Sequence, residues 1–525
     1  MDVLALGLLP PLEGLYRDDL VPVFDRAHLS VREERTERGR KQDVVCDRAA
    51  ACDEFWARFR SRPDYRDLRR DGPTVDAILL SHAHLDHSGD LDAVCSDIPI
   101  FSSRTTAFIA KAMQDCSKPG ASGVVYVNPH TVCEDGLLKA DRSAGYVWRR
   151  WGFLDGEPAG DAESDDPFTS PRAFWMWRPA KQGLPAPETP TRVDPFPLKL
   201  KWWPLDHSLF GASGFAMETT AGWVAYTGDL RFHGGKGALS RRFAEELSLL
   251  SPVALLCEGT RAGIEENVTE AEVHENCLAA VRMAQGHLVV ADFAPRNVER
   301  LLTFLDIARE TDRCLLIQPK DAFLLAAMRL ADPTSVPDLK EDPCLAVYDD
   351  PKSQQQNWEK VIRQTYAGKV LGPDRVRASP GEYILAFSLW DMADLLDIEY
   401  ILGTAPGGTY IYSNSKAYDE EQKVDLVRLW NWIRHFGMVP VGLKVGVRDR
   451  AGRVAEVDVE GGYHASGHAS GPELVEFVRT VRPQALIPVH TEEPEWWLDQ
   501  LAGTGIPVLE PTYGQPLQVG TETQR

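Results

Sequence analysis

Ser81-His82-Ala83-His84-Leu85-Asp86-His87-Ser88-Gly89 follows directly on the apolar run Ala77-Ile78-Leu79-Leu80, and its reading decides the fold. The run predicts a short buried strand, and a strand ending in a sharp turn aims closely spaced side chains at one centre. His82, His84, Asp86 and His87 can all bind metal. In a His-x-His-x-Asp-His array two imidazoles can take one ion, and the carboxylate with the third imidazole a second, the ions sharing one hydroxide. An exposed polar turn can also hold histidines for no chemical reason, so further ligands must be sought elsewhere in the chain.

A chain of 525 residues is too long for one hydrophobic core and predicts two or three domains. With 43% hydrophobic and 26% charged residues it has a soluble globular composition. No apolar run reaches bilayer length and no basic segment precedes the first apolar residues, so a cytoplasmic protein without a membrane partner is expected. Nine cysteines occur without a Cys-x-x-Cys pair, which argues against a disulfide framework and leaves zinc to His and carboxylates. The formal charge of −21 speaks against a broad non-specific grip on a polyanion. Bound cations and a local groove of Arg and Lys can still supply positive potential for nucleic acid.

Upstream, Val3 to Leu9 reads as a strand, and Cys46 and Cys52 as packed or inert thiols. Downstream, Ile98-Pro99-Ile100-Phe101 and Thr105 to Met113 predict a strand and a helix, the start of a layered α/β unit. Residues 155–192 are rich in Pro, Asp and Gly and predict a long loop or insertion. Trp148, Trp151, Trp175, Trp177, Trp202 and Trp203 lie around it. They serve either to stack bases or, the favoured reading, to pin the insertion by packing.

Three further apolar runs each end in a polar group: Trp223 to Tyr226 before Asp229, Val253 to Cys257 before Glu258, and Ala485 to Val489 before His490. Such runs read as buried strands, and open sheets place their chemistry beyond strand ends. Between 263 and 455 a second α/β unit is expected. Its first helix starts at the capping-box spacing Thr269-Glu270-Ala271-Glu272, with Val273, Cys277, Ala280 and Val281 on one face. The strand His287 to Ala291, a helix from Val298 to Ala308 and a helix from Glu420 to Phe436 follow. Near the end, Ser470 and Glu473 around Pro472 open a helix that separates His468 from the strand bearing His490, and Gly520 to Arg525 reads as frayed.

The ordered series His82-Ala83-His84-Leu85-Asp86-His87, His207, Asp229, Glu258, His468 and His490 resembles the metallo-β-lactamase fold in its β-CASP nuclease branch, to which ribonuclease J belongs. The resemblance implies an α/β architecture: a metallo-β-lactamase αββα sandwich over residues 1–262 and 456–525, with an α/β β-CASP domain inserted at 263–455. It implies two Zn2+ ions, with Mn2+ as a substitute. His82, His84 and His207 would hold one; Asp86, His87 and His490 the other; Asp229 would bridge them. Glu258 matches the branch motif whose carboxylate orients an imidazole, and His468 the one near the leaving oxygen. His490 stands where RNA-acting members carry His and DNA-acting members Val.

The function so implied is a zinc-dependent ribonuclease acting on single-stranded RNA, endo- or 5′-exonucleolytic, by a two-metal bridging-hydroxide mechanism with Asp86, Glu258 and His468 as catalytic residues. Taken singly, Glu258 could be a surface carboxylate, His468 a helix cap and His490 a buried imidazole. His464 either packs or touches a phosphate. Ser466, in the Ser466-Gly467 turn, either helps present N–H groups to a phosphate or makes a plain turn. Arg296, Asn297, Ser413, Asn414 and Lys416 are candidates for the RNA backbone, with surface solvation as the alternative for each. His28, His130, His233, His274, His287 and His435 match no ligand position and read as structural or surface residues.

There are three departures from the family, one of them the loop Gly407 to Lys416, which stands where ribonuclease J has a different substrate-facing sequence. Ala5 ahead of Gly7 replaces an expected Asp, and only about 35 residues follow His490, so no ribonuclease J-type C-terminal domain, and no oligomer built through one, is expected. The competing functions are a DNA-acting β-CASP nuclease, a small-molecule metallohydrolase such as a lactonase or thioesterase, and a non-catalytic RNA-processing scaffold.

Overall fold

The computed structural model describes residues 12–17, 30–37, 40–47, 74–117, 126–134, 137–162, 164–178, 198–265, 267–294, 296–351, 354–402, 407–417, 419–512 and 515–519. The expected strand at 3–9, the Pro-rich 185–190 and the chain end from 520 lie outside them.

The apolar run before the histidines forms the strand Ile78–Leu79, parallel to Ile100–Ser102, which is parallel in turn to Trp151–Phe153. The helix after the second strand, Arg104–Asp115, starts at Ser103, whose Oγ accepts the Thr106 N–H at 3.2 Å. A second sheet has the order Leu486–Val489, Ala254–Glu258, Gly222–Tyr226, Ser213–Thr219 and Leu200–Pro204. Its first three members, parallel to one another, are the three apolar runs picked out in the sequence. Burial on both faces requires such unbroken apolar stretches.

The third sheet is wholly parallel and is built from residues 289 to 441. Its order is Val370–Leu371, Leu345–Tyr348, Cys314–Ile317, Tyr383–Ala386, Val289–Asp292, Thr409–Tyr412 and Val439–Val441. Strand periodicity divides its side chains between two cores. Val289, Ala291, Leu315, Ile317 and Ile411 face one, and Val290, Leu316, Leu385 and Tyr410 the other. Three helices matter for the site: α1, Glu270–Met283, with the capping box at Thr269 and Glu272; α2, Val298–Glu310, capped by Asn297; and α3, Gly471–Val481. The Ser470 N–H of α3 donates to Glu473 at 2.9 Å.

The first core of the third sheet is continuous with Ile100, Phe108, Trp151 and Trp175 of the first sheet region. Trp175 is 1% exposed and stacks on Phe108 at 6.0 Å, and Phe168 meets Phe323 edge-on at 5.2 Å. Trp151 and Trp175 pack in this core. Lys111, fully buried, donates to Asp115 at 2.6 Å and to the Trp177 carbonyl at 2.8 Å, tying the insertion down. The insertion is not loop throughout. Ser170 caps a short helix, Pro171–Met176, whose Pro at the first turn has φ already set for a helix.

Candidate metal centre

Each candidate donor stands just past a strand end. After Ile78–Leu79 the chain runs extended through His84, which precedes the single turn Leu85–Ser88. Asp86 and His87 lie in that turn, while Leu85 points outward and is 68% exposed. Past Tyr226, Gly228 takes φ +55, and a Cβ there would lie 2.9 Å from both the Ser213 carbonyl oxygen and Ser81 Cβ. Glycine is therefore what lets Asp229 approach the histidine strand. His490 follows Leu486–Val489 in the left-handed region, φ +50, a conformation that costs a non-glycine residue and clusters at functional sites.

The donors separate into a dry set and a wet set. In the dry set, His82 Nε2 lies 3.1 Å from His84 Nδ1, and His84 Nδ1 lies 3.0 Å from His207 Nε2. Asp229 Oδ2 lies 3.3 Å from His82 Nε2 and 3.7 Å from His207 Nε2. A tetrahedral zinc with ordinary Zn–N and Zn–O bonds sets neighbouring ligand atoms about 3.3 Å apart, which these separations bracket. The wet set joins Asp86 and His87 at 3.6 Å and Asp86 and His490 at 3.2 Å, with Asp86 56% and His490 33% exposed. Asp229 belongs to both, lying 3.3 Å from His87 and 3.2 Å from His490.

Both Asp229 oxygens and His87 Nε2 are buried without a hydrogen bond, although imidazole nitrogens crowd around the carboxylate. Buried polar atoms are normally satisfied, so a carboxylate and imidazole nitrogens that converge without a well-formed hydrogen bond fit a cation. The ring chemistry agrees. His207 Nδ1 is 2.6 Å from the Gly467 carbonyl, which can only accept, so the proton sits on Nδ1 and the Nε2 lone pair faces the centre. Burial pushes His82 and His207 below the usual imidazole range and His84 down to about 3, so all three are neutral, as ligands must be. Burial pushes the Asp229 carboxyl up, but the imidazoles of His490, His82 and His87 overcome this and hold it well below the carboxylate range. His490 Nε2 beside Asp86 holds that carboxyl down, and the two carboxylates raise His490 to about 10, so that with no cation present it carries a proton that a bound cation would displace.

Glu258 is fully buried and accepts from the Leu230 N–H at 2.6 Å and the Thr260 N–H at 3.2 Å. Its Oε2 lies 3.1 Å from His468 Nδ1, which leaves His468 Nε2 free of that contact. Burial lowers the His468 pKa, Glu258 and Asp229 more than offset it, and the net shift is upward.

The remaining candidates divide. His464 is half-buried with Nδ1 3.4 Å from the Ser413 carbonyl, and burial lowers it to about 3. Ser466 Oγ accepts from the His468 N–H at 3.2 Å. Asn297 caps α2 through the Arg300 N–H at 3.0 Å, Ser413 is buried against Arg300 and the Tyr463 carbonyl, and Asn414 donates to Asp292 at 3.1 Å. Arg296 reaches the Ala83 carbonyl, between two histidine donors, at 3.0 Å. Only Lys416 is an exposed side chain on the surface. Residues passed over in the sequence also matter. His233, read as structural or surface, is buried between Glu473 at 3.1 Å and the Ser466 carbonyl at 3.2 Å, and Arg231 is buried against Asp206, the neighbour of His207. Adjacency to His207 and Asp229 was their only sequence signal.

The layered fold and the donor cluster are similar to those of the metallo-β-lactamase superfamily, and comparison with known proteins points the same way. Residues 50–100 match the metallo-β-lactamase superfamily, and residues 456–503 match the Zn-dependent metallo-hydrolase RNA specificity domain. A crystal structure of a protein of unknown function from Enterococcus faecalis shares the fold, with a TM-score of 0.54 at 17% identity, covering 85% of this chain and 81% of that one. Among curated proteins the chain is similar to ribonuclease J of several bacteria. It is 22% identical to ribonuclease J of Sinorhizobium meliloti over 82% of its own length and 60% of the relative's. It is 25% identical to ribonuclease J of Corynebacterium glutamicum over 56% and 36%, and 25% identical to that of Mycobacterium tuberculosis over 55% and 46%. The chain thus spans less than two thirds of the length of these curated relatives. Among the described residues no helix is long and apolar enough to cross a membrane.

Proposed function

We propose that the protein is a zinc-dependent ribonuclease that hydrolyses phosphodiester bonds of single-stranded RNA in a cleft between the unit formed by residues 1–262 and 456–525 and the unit at 263–455. The observation that carries this reading is the dry and wet donor sets sharing Asp229, beside the Glu258–His468 pair. His82, His84 and His207 would hold one divalent cation and Asp86, His87 and His490 a second, with Asp229 common to both. Two such cations, zinc or manganese, supply acidification of water and neutralisation of charge on the phosphoryl oxygens. Half-exposed Asp86 orients the attacking water by accepting a hydrogen bond. His468, its Nδ1 held by Glu258, presents Nε2 to the leaving oxygen and donates a hydrogen bond or proton there. The matched RNA specificity domain and His490 support RNA over DNA. A small-molecule hydrolase would need the donors but neither Glu258 nor His468.

Matched RNA and DNA oligonucleotides labelled at either end test the reading. With zinc or manganese present, RNA should be cut and DNA spared, and Asp86→Ala or His468→Ala should abolish cutting while the protein stays folded. Undiminished cleavage by either variant overturns the assigned chemistry, and end labelling separates endonuclease from 5′-exonuclease action.

A further inference from the structure

Behind the donors lies a buried ion network that crosses from one α/β unit to the other. Arg231, 0% exposed, grips Asp206 with both arms of its fork, Nε to Oδ2 at 3.2 Å and Nη2 to Oδ1 at 2.8 Å. Its backbone N–H also donates to the Asp206 carbonyl at 2.9 Å. Asp206 is covalently next to His207, and Arg231 is two residues past Asp229. The pair therefore fixes the spacing between a donor of the dry set and the carboxylate common to both sets. Space for it is reserved: a Cβ on Gly234 would lie 2.1 Å from the Arg231 guanidinium.

The same guanidinium reaches out of its own unit. Arg231 Nη2 also contacts Glu299, in the first turn of α2, and Nη1 faces Glu270 of α1 at 3.7 Å without a hydrogen bond. The second oxygen of Glu299 accepts the Gly235 N–H. That turn is fixed from its other sides. Asn297 caps it, and Arg300 forks onto Glu270 at 3.1 and 2.9 Å and donates to the Ser413 and Tyr463 carbonyls at 2.8 and 3.1 Å. A buried guanidinium needs charge and hydrogen-bond compensation, and a fork gripping two carboxylates holds them in a fixed relative geometry. Glu299 touches no candidate donor, yet it joins the first turn of α2 to the segments bearing His207 and Asp229.

We propose that Glu299 is a positioning residue for the metal centre: through Arg231 and Asp206 it sets where His207 and Asp229 stand, so the 263–455 unit tunes cation affinity. This rests on the metal-binding reading above. Groups that orient ligands from behind typically change metal affinity by about 10- to 100-fold when removed.

The test is zinc affinity of the full-length chain, measured by competition with a chromophoric chelator, alongside the thermal midpoint of the metal-free protein. Glu299→Gln leaves the Arg231–Asp206 pair charge-balanced, so it should fold and bind zinc about tenfold more weakly. Asp306→Asn, which breaks an exposed pair in the same helix, should leave affinity unchanged. In an Arg231→Lys background, which keeps the charge and loses the fork, adding Glu299→Gln should cause no further loss. Glu299→Gln with wild-type affinity, or a loss equal to that of Asp306→Asn, or additive losses in the double variant, would each overturn the proposal. A wild-type chain that takes up no zinc would instead remove the metal reading, and this inference with it.

Discussion

Gly228→Ala should damage the metal centre from a position that touches no metal. The residue sits at φ +55, where an L side chain costs about 1–2 kcal/mol. The new methyl would lie 2.9 Å from the Ser213 carbonyl oxygen and 2.9 Å from Ser81 Cβ, neither the free end of a flexible chain. These two segments are hydrogen-bonded to each other, Ser213 N–H to Ser81 carbonyl at 3.0 Å, so they cannot move apart independently. Overpacking of this kind costs about 1–3 kcal/mol more, giving a total of about 2–5 kcal/mol. The strain relaxes by separating Ser81 from residue 228, which pulls His82 away from Asp229, now 3.3 Å apart. Chemical denaturation should show the stability loss, and a zinc titration should show weaker binding by tenfold or more. A Gly228→Ala protein destabilised by that amount but binding zinc as tightly as wild type would refute the view that this close approach assembles the site.

Other outcomes follow from the same contacts. Glu258→Gln removes the charge that orients His468 and should lower kcat on RNA about a hundredfold or more with little change in KM, read from steady-state cleavage; an unchanged kcat contradicts its role. Trp175→Ala should cost about 3–5 kcal/mol by denaturant titration without altering zinc content, because Trp175 packs against Phe108 and Phe153. Burial raises the Asp292 carboxyl from 3.8 to about 7, against the Tyr410 hydroxyl at 2.6 Å and the Asn414 amide. A raised carboxyl favours the fold fully below its unfolded pKa, and that advantage is lost as pH climbs from 3.8 to about 7, about 4 kcal/mol in all. Asp292→Asn should flatten this part of the stability curve, measured at pH 5 and pH 8.

What the sequence made legible was local. The apolar run before His82, the runs before Asp229, Glu258 and His490, and the capping boxes at Thr269 and Ser470 each carry their signal within a few residues. The donors chosen from them stand together in space. What stayed hidden depends on distant partners. Arg231 and Glu299 are 68 residues apart, and an ion pair across units leaves no periodicity to read. Asn297 and Ser413, offered as RNA contacts, are a helix cap and a ligand of Arg300. A polar side chain that satisfies backbone groups looks, in sequence, the same as one that faces solvent. The helix Pro171–Met176 was masked by the acidic, proline-rich loop around it, although Ser170-Pro171 is itself a helix start.

The most direct test of the central claim is cleavage of end-labelled single-stranded RNA as a function of zinc equivalents bound to the metal-stripped chain. Two-cation hydrolysis predicts little cutting at one equivalent and full activity at two. Full activity in the metal-free or one-equivalent protein, or uncut RNA with two equivalents bound, would contradict it.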